Sequence, residues 1–393
     1  MDKTEAAILS LVRSGLLGGK CEIDAQIDWG RLYSISFRHG IISIVYNALK
    51  NSNISVPNEF LRLFQVEALR YVRQDYHQRS EIKAIFGELE KNGIRYIPLK
   101  GIIMKNLYPK PEYRWMSDAD IFIDESQVER ILPCMKNLGY KYKEHLSHEF
   151  TLEKDELFQV ELHTLALDPQ NKLIDEYFKD SFSFAYQIDG MQYQYNDNDM
   201  LLHAICHLFK HFMYDLGNLR NVIDIYYLLQ APSLDIIYVD QKLREWKLDR
   251  FFDVVQRTVN DWFGKKEFDE RETLFLSSIL RKSETLEHKW EVVSTFIRNE
   301  KENKKKSGGR RIRNFFSTLF PPYSVMKRGY IILERIPILL PFFWVWRIIS
   351  VLLFKRDHLK NYVGVLKNSE ESVDQYIKVI TAVGLKDMLS SEE

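Results

Sequence analysis

Apolar residues recur at helical spacing through residues 1–93. A short amphipathic segment begins at Ala6 and ends near Gly15, and a second covers 29–49. A third, over Phe60–Lys91, keeps apolar positions near helical spacing and stops before Gly93. The pattern predicts an N-terminal region made of helices.

The pattern changes after residue 93, where short apolar runs are separated by short helices. We predict strands over Ile94–Leu99 and Met116–Ile123, and a stronger one over Leu157–Leu165. Helices are expected at 102–107 and 127–138, and weaker strands at 140–144 and 149–152. This order favours an α+β fold, in which a small mixed sheet is flanked by N-terminal and C-terminal helical regions.

Helical patterns return in the second half of the chain, over 199–230, 239–261 and 270–299. We therefore expect four parts. They are an N-terminal helical region at 1–93, a mixed-sheet part at 94–198, a helical domain at 199–300, and a basic loop with an apolar helical region at 301–393.

Composition bears on whether the protein binds nucleic acid and on its location in the cell. The 393 residues carry 55 Lys+Arg and 55 Asp+Glu, so the net charge is zero. No overall positive field draws long nucleic acid to the chain. The three cysteines are far apart and the N-terminus has no secretory pattern, which favours a reducing compartment and predicts a cytoplasmic location.

Two carboxylates two residues apart are the most informative motif of the chain. Asp118 and Asp120 precede the apolar run Ile121–Ile123. Alternate residues of a strand point to the same face, so both carboxylates project together. Like charges held that close require a neutralising cation, and Mg²⁺ favours such oxygen ligands. The motif predicts a metal site for phosphoryl or nucleotidyl chemistry, against the alternative of a solvated acidic turn.

A third carboxylate lies on the strand predicted over Leu157–Leu165. Glu161 and His163 share one face of this strand by the same alternation. If this strand neighbours the one that carries Asp118 and Asp120, three acidic groups converge and hold one or two metal ions. An outward-facing strand glutamate is the alternative for Glu161, and a packed strand histidine is the favoured interpretation of His163.

Four segments in this order resemble an uncharacterised bacterial nucleotidyltransferase family. They are Leu-Lys-Gly at 99–101, Leu-Tyr-Pro at 107–109, Arg-Trp-Met-Ser-Asp-Ala-Asp at 114–120 and Val-Glu-Leu-His at 160–163. The family is similar to the wider DNA polymerase β-like superfamily. The resemblance implies a nucleotidyltransferase palm in which Asp118, Asp120 and Glu161 are the catalytic metal ligands.

The resemblance also implies a nucleoside triphosphate substrate and residues that contact it. Lys100 and Gly101 match the place of a phosphate-binding turn, although that turn usually carries Gly-Ser or Gly-Gly closer to the aspartates. Glycine lets backbone N–H groups approach a phosphate, and Lys100 supplies a positive charge. An ordinary surface lysine after a strand is the alternative.

Further candidate contacts precede the acidic pair and lie on the helical stretch after the sheet. Arg114 is expected either to contact substrate or to hold the loop through a carboxylate, and Ser117 either to ligate or to form a turn. In the resembling family, His207 would line the nucleotide cleft and Arg220 would face the phosphates. An Arg220–Asp224 salt bridge at i, i+4 explains that pair equally well.

Three histidines at i, i+4 and i+8, His203, His207 and His211, fall on one face of the same helical stretch. The His-Glu-x-x-His zinc pattern is absent, so a packed helix face is favoured over a zinc site.

The C-terminal part combines a basic run with an apolar one. Lysines and arginines crowd 301–313, and the apolar segment 337–354 is interrupted by Pro341 and Arg347. Eighteen residues are near the lower limit for a membrane span. A packed helix is the first interpretation, peripheral contact with an anionic membrane surface the second, and a true span the third.

The sequence thus predicts an Mg²⁺-dependent nucleotidyltransferase. It would move a nucleoside monophosphate from a nucleoside triphosphate to a small-molecule, glycan-precursor or protein acceptor. The alternative is a catalytically silent module that binds a nucleotide or acts as a scaffold, in the cytoplasm or at the membrane surface.

Overall fold

The computed structural model describes residues 1–21, 23, 26–146, 148–155, 158–167, 171–281, 323, 326, 337–346 and 370–386. It divides the chain into two units. The first contains residues 1–210 and 218–280, and the second contains 211–217 and 281–393. The expected fold class is confirmed, because the first unit is a mixed sheet accompanied by helices that precede and follow it in the chain.

Four helices form the N-terminal part of the first unit: α1 (Lys3–Leu17), α2 (Trp29–Arg38), α3 (Ile42–Lys50) and α4 (Asn58–Lys91). The segment expected as one helix over 29–49 is two helices, and that expectation was wrong. Gly40 separates them with a φ of +64°, a conformation that only glycine adopts without strain. The turn lets α3 fold back against α1.

The long helix α4 was predicted over nearly its full length. Its buried face carries Phe64, Tyr71, Ile82 and Ile85. Gln78 lies on the same face, and its side-chain amide donates a hydrogen bond of 2.8 Å to the carbonyl of Met116. The helix therefore fixes the loop that leads into the strand of the paired aspartates.

A seven-stranded mixed sheet forms the centre of the first unit. The strands are β1 (Tyr96–Pro98), β2 (Asp118–Ile123), β3 (Lys141–Leu146), β4 (Glu149–Asp155), β5 (Phe158–His163), β6 (Tyr186–Asp189) and β7 (Gln192–Gln194). Their spatial order is β3-β4-β5-β2-β1-β7-β6. Strands β2 and β5 are parallel neighbours near the middle of the sheet, and β1 pairs antiparallel with β2.

The hydrophobic run of β2 explains its central position. Ile121, Phe122 and Ile123 are all buried, so both faces of this strand are covered. A continuous apolar run is the pattern of a strand inside a sheet with two covered faces. The helices α5 (Gly101–Met104) and α6 (Val128–Asn137) lie before and after this strand in the chain.

The elements between β5 and the next long helix were not predicted from the sequence. These are α7 (Lys172–Lys179), α8 (Ser181–Phe184) and the hairpin of β6 and β7, which turns at Gly190 with a φ of +50°. Strand β7 pairs parallel with β1. The two strands are short and rich in polar residues, so no apolar run marks them in the sequence.

Among the residues described up to position 281, five helices follow the sheet: α9 (Asp197–Asp215), α10 (Leu219–Leu228), α11 (Ile236–Glu245), α12 (Asp249–Gly264) and α13 (Glu270–Leu280). The stretch expected as continuous over 199–230 is divided between α9 and α10. Leu216 and Gly217 both have positive φ at the break, which ends a right-handed helix. Residues 282–299 of the last predicted helix lie outside the described residues.

The second unit contains the C-terminal elements. Residues 337–346 form a 3₁₀ turn followed by helix, and α14 (Glu370–Ala382) follows. The hydroxyl of Tyr376 on α14 donates to the carbonyl of Met213, 2.8 Å away. The predicted basic loop at 301–313 lies outside the described residues. Within the described part of the chain, no helix has the length and apolar character needed to cross a membrane.

Candidate functional site

Two of the predicted carboxylates meet where β2 lies beside β5. In the parallel register Asp120 is directly opposite Glu161, and Asp118 is opposite Gln159. One ligand atom each from Asp120, Glu161 and His163 lies within 4.8 Å of the others, the one such group of three among the described residues. The sheet register therefore brings together acidic groups 41 positions apart in the sequence.

Asp120 is the buried centre of this cluster. Its Oδ1 accepts a hydrogen bond of 2.7 Å from the Lys100 ammonium and one of 2.8 Å from the His163 Nε2. Burial by itself raises the pKa of Asp120, but the charge of Lys100 and the hydrogen bond from His163 outweigh burial and hold the pKa well below its usual range. Asp120 is therefore ionised throughout the physiological pH range.

His163 bridges the two carboxylates. Its Nε2 is 2.8 Å from Asp120 Oδ1 and 3.6 Å from Glu161 Oε2. Burial works against its protonation, yet hydrogen bonds to Asp120 and Glu161 raise its pKa. The favoured interpretation from the sequence, a packed strand histidine, is incomplete, because this buried ring also orients the acidic side chains.

Asp118 stands apart from the tight cluster. It begins β2 on the same face as Asp120, is partly exposed, and accepts a hydrogen bond of 2.9 Å from the Ser117 hydroxyl. Glu161 accepts a hydrogen bond of 3.1 Å from the side-chain amide of Gln159. Asp118 and Ser117 thus lie at the open side of the cluster, and their roles as ligand and contact stay predictions.

The donor set fits a hard divalent cation. One carboxylate oxygen each of Asp120 and Glu161 lies within 4.8 Å of the other, and Asp118 projects from the same face of the sheet. Mg²⁺ prefers oxygen ligands, while a histidine that holds a carboxylate in place is a common partner of metal ligands. Residues Asp118, Asp120 and Glu161 would hold the ion, with His163 fixing two of them.

The Lys100–Gly101 turn lies directly against Asp120. Lys100 has a φ of 43° and a ψ of −116°, a conformation that favours glycine. The backbone N–H of Leu99 donates to the Asp120 carbonyl at 3.0 Å. A Cβ on Gly101 would come within 2.6 Å of the Met116 sulfur. Close packing therefore accounts for Gly101, and its contact with phosphate stays a prediction.

Arg114 is engaged within the protein. Its Nε and Nη2 donate to the two carboxylate oxygens of Asp224 at 2.9 and 2.8 Å, and its Nη1 donates to the Trp115 carbonyl at 2.8 Å. Tyr108 adds a hydrogen bond of 2.7 Å to the same carboxylate, and the whole group is buried. Of the two roles expected for Arg114, the structure shows loop holding; substrate contact stays a prediction.

Arg220 does not pair with Asp224, which is bound to Arg114. Its guanidinium lies 5.2 Å over the Trp115 ring, and its Nη1 donates to the Trp115 carbonyl at 2.9 Å. Its buried Nε has no hydrogen-bond partner among the described residues. Burial, reinforced by the charge of Arg114, lowers the pKa of Arg220 to about 10. This guanidinium retains donor capacity, which suits the predicted phosphate contact.

One face of α9 approaches the cluster. The Nε2 of buried His203 donates to the Ala166 carbonyl just beyond β5, at 3.0 Å, and its ring stacks on that of His207. Lys210 follows on the same face; burial and the charge of Lys100 lower its pKa to about 8. Sequence reasoning missed Lys210, although its spacing from the two histidines was the available signal. His207 as a cleft residue stays a prediction.

The fold and the cluster together define a class. A mixed α+β sheet that presents paired acidic groups from two parallel strands, with a lysine and arginines around them, is the arrangement of a nucleotidyltransferase fold. The chain belongs to a family described as an uncharacterised nucleotidyltransferase, whose sequence model matches residues 25–264. This range includes every residue of the site. No curated protein and no solved structure matches the chain.

The buried Arg114–Asp224 pair predicts a large effect on stability. Replacing Asp224 by Asn leaves a buried guanidinium without its counter-charge, and we expect the free energy of unfolding to fall by about 3 kcal/mol or more. Urea unfolding followed by circular dichroism measures this. The control is Arg244→Met, which breaks an exposed pair with Asp240 and should cost under about 1 kcal/mol. Equal losses of unfolding free energy in the two variants would contradict the large contribution of the buried Arg114–Asp224 pair.

His203 predicts a loss of stability in acid. Burial lowers its pKa to about 4, whereas the unfolded chain takes up the proton near pH 6.5. Below that pH the unfolded state binds more protons than the folded state. The buried neutral His203 therefore costs no stability above pH 6.5, and the free energy of unfolding falls as the pH drops from 6.5 towards 4. Between pH 7 and 4.5 the free energy of unfolding of His203→Gln should fall by about 2 kcal/mol less than that of the wild type. Urea unfolding at the two pH values measures this, and equal falls in the two proteins would refute it.

Proposed function

We propose that the protein is an Mg²⁺-dependent nucleotidyltransferase that moves a nucleoside monophosphate from a nucleoside triphosphate to an acceptor. The observation that carries the proposal is the register of β2 and β5, which sets Asp120 opposite Glu161 beside Lys100. A membership of the DNA polymerase β-like superfamily is part of the proposal, supported by the Asp-x-Asp strand beside a strand with a third carboxylate.

In this proposal Asp118, Asp120 and Glu161 hold one or two magnesium ions. When bound, Mg²⁺ neutralises charge on the phosphates and on the attacking and leaving oxygens. His163 keeps the side chains of Asp120 and Glu161 in place through its hydrogen bonds. The buried position of Asp120 excludes water from one side of the site.

The reaction transfers the nucleoside monophosphate group and releases pyrophosphate. A lone pair of an acceptor oxygen attacks the α-phosphorus, and the bond from the α-phosphorus to the bridging oxygen of the β-phosphate breaks with its electron pair. Glu161 takes the proton of the acceptor hydroxyl, because it is the less buried carboxylate of the pair. The products are the nucleotidylated acceptor and pyrophosphate.

The cations around the cluster are the proposed triphosphate contacts. Lys100 and Arg220 supply charge and N–H donors, and Lys210 adds a third positive group on α9. Gly101, Ser117 and His207 complete the proposed contacts, while Arg114 supports the Trp115 carbonyl on which Arg220 rests. Phosphate binding by several cations is typical of nucleotidyl transfer.

The acceptor is proposed to be a small molecule, a glycan precursor or a protein side chain. The zero net charge gives no attraction for long nucleic acid. A catalytically silent nucleotide-binding or scaffolding module is the second candidate. The observation that favours it is the ion pair between Lys100 and Asp120, in which an ammonium group already neutralises a proposed metal ligand.

Transfer of label separates the two candidates. The purified protein is incubated with each nucleoside triphosphate labelled on the α-phosphate, with Mg²⁺ and cell extract, and the label on the acceptor is counted. We expect transfer from one or more nucleotides, and a loss of more than ~100-fold in Asp120→Asn and Glu161→Gln because ligands are removed. The exposed-carboxylate control Asp253→Asn should keep activity.

Two results would count against the enzyme. Retention of a labelled triphosphate without any transfer would favour the silent module. Transfer that survives Asp120→Asn at the level of the wild-type protein would remove Asp120 from the site, and with it the proposed chemistry.

We further propose peripheral contact with an anionic membrane surface through residues 337–346. Ile338, Phe342, Val345 and Trp346 are exposed at helical spacing, Ile338 to 85%. Aromatic and aliphatic side chains of this kind insert at the lipid interface. The lysines and arginines of 301–313, upstream in the sequence, supply the attraction for anionic headgroups.

Flotation with lipid vesicles tests the membrane contact. The full chain should float with vesicles containing phosphatidylserine and less with neutral vesicles, and the double variant Phe342→Ser/Trp346→Ser should float several-fold less because it removes buried apolar area. The control Ile237→Ser removes another exposed apolar side chain, 78% exposed, and should float as the wild type does. Equal flotation of all three would contradict the contact.

A further inference from the structure

Lys100 holds the position of a built-in cation at the carboxylate cluster. Its ammonium is 2.7 Å from Asp120 Oδ1, and both side chains are largely buried, with 20% and 5% of their surface exposed. The same oxygen accepts the hydrogen bond from His163. One oxygen of the central carboxylate is thus fully engaged by protein donors.

The backbone shows that this placement is imposed by the surroundings. Lys100 adopts a φ of 43°, which a side chain with a Cβ occupies only when the structure around it enforces it. The neighbouring backbone is fixed on both sides of Lys100. The N–H of Leu99 is bonded to the carbonyl of Asp120, and the N–H of Met104 to the carbonyl of Lys100 at 2.9 Å. The backbone of Lys100 is therefore held in place, and the ammonium can leave Asp120 only by a change of side-chain rotamer.

The electrostatics favour a competition between this ammonium and a divalent ion. The charge of Asp120, and to a smaller extent those of Asp118 and Glu161, stabilises the charged form of Lys100 although it is buried. A second cation brought to the same carboxylates meets a fixed positive charge in a region of low dielectric, where like charges repel strongly. Lys100 also reduces the negative charge available to the ion.

We propose that Lys100 is a resident counter-ion that opposes metal binding until a triphosphate draws its ammonium from Asp120 to the phosphates. The inference rests on the proposed function and adds that the metal and the triphosphate bind to the site together. Because binding coupling is reciprocal, a bound triphosphate must raise the affinity for the metal by the same factor by which the metal raises that for the triphosphate. The free enzyme is thereby kept from loading the metal alone.

Binding of Mn²⁺ without nucleotide tests this role. Free Mn²⁺ is measured by electron paramagnetic resonance during titration of the wild type and of Lys100→Met. We expect the variant to bind Mn²⁺ about tenfold more tightly or better, a factor within the usual range of coupling between sites. Lys100→Arg keeps the positive charge and should bind as weakly as the wild type, as should Lys110→Met, which removes a lysine exposed in the following loop.

Two further variants protect the interpretation. Lys100→Gly removes the ammonium and suits the positive φ. It should gain affinity for Mn²⁺ as Lys100→Met does, and it should fold at least as well as Lys100→Met. Adding Asp120→Asn to Lys100→Met should abolish the gain, which locates the ion at this carboxylate. Thermal unfolding of each variant confirms that the binding curves come from folded protein.

The outcomes separate the inference from the proposed function. Unchanged or weaker Mn²⁺ binding in both Lys100→Met and Lys100→Gly would overturn the role of Lys100, whether or not the wild type binds the ion. Label transfer by the wild-type protein would leave the nucleotidyltransferase standing in that case. A gain in Lys100→Arg equal to that in Lys100→Met would also overturn it, because charge would then not be the cause.

Discussion

The parallel pairing of β2 with β5 is the constraint on which the site depends. It forces Asp120 to lie opposite Glu161, where two negative charges repel each other and burial disfavours the charge of Asp120. The protein offsets this locally with Lys100 and His163, each hydrogen-bonded to Asp120. A cluster of this kind is costly to maintain for packing alone, since apolar residues of similar volume are often at least as stable in such positions.

Helices before and after the sheet in the chain also hold the site in place. Helix α4 holds the Met116 carbonyl through Gln78, and α10 holds Arg114 through Asp224. Both contacts act just before β2, at Arg114 and Met116. The loop that precedes the paired aspartates is therefore fixed at once by α4, which comes before the sheet in the chain, and by α10, which follows it.

The elements that the sequence predicted best are those with a one-dimensional signal. Helix α4 has a long apolar periodicity, β2 has its apolar run, and alternation alone put Glu161 and His163 on one face. The pairing of Arg114 with Asp224 depends on the meeting of segments 110 residues apart. Local i, i+4 spacing could offer Arg220 as a partner of Asp224 but gave no sign of Arg114. The β6–β7 hairpin has no apolar run to mark it in the sequence. The spacing of Lys210 from His203 and His207 puts it on their face of α9, but its approach to the cluster depends on how that helix packs.

Gly40 links the turn between α2 and α3 to an arginine of α10. A Cβ at this turn would lie 2.7 Å from Arg220 Nη1 and 3.3 Å from the Trp115 side chain, so the turn between α2 and α3 forms one wall of the space that the guanidinium occupies. A side chain at position 40 would therefore strain the positive φ of the turn and displace the guanidinium of Arg220 and the ring of Trp115 at once. The size of this one residue thus bears on the position of an arginine 180 residues further along the chain.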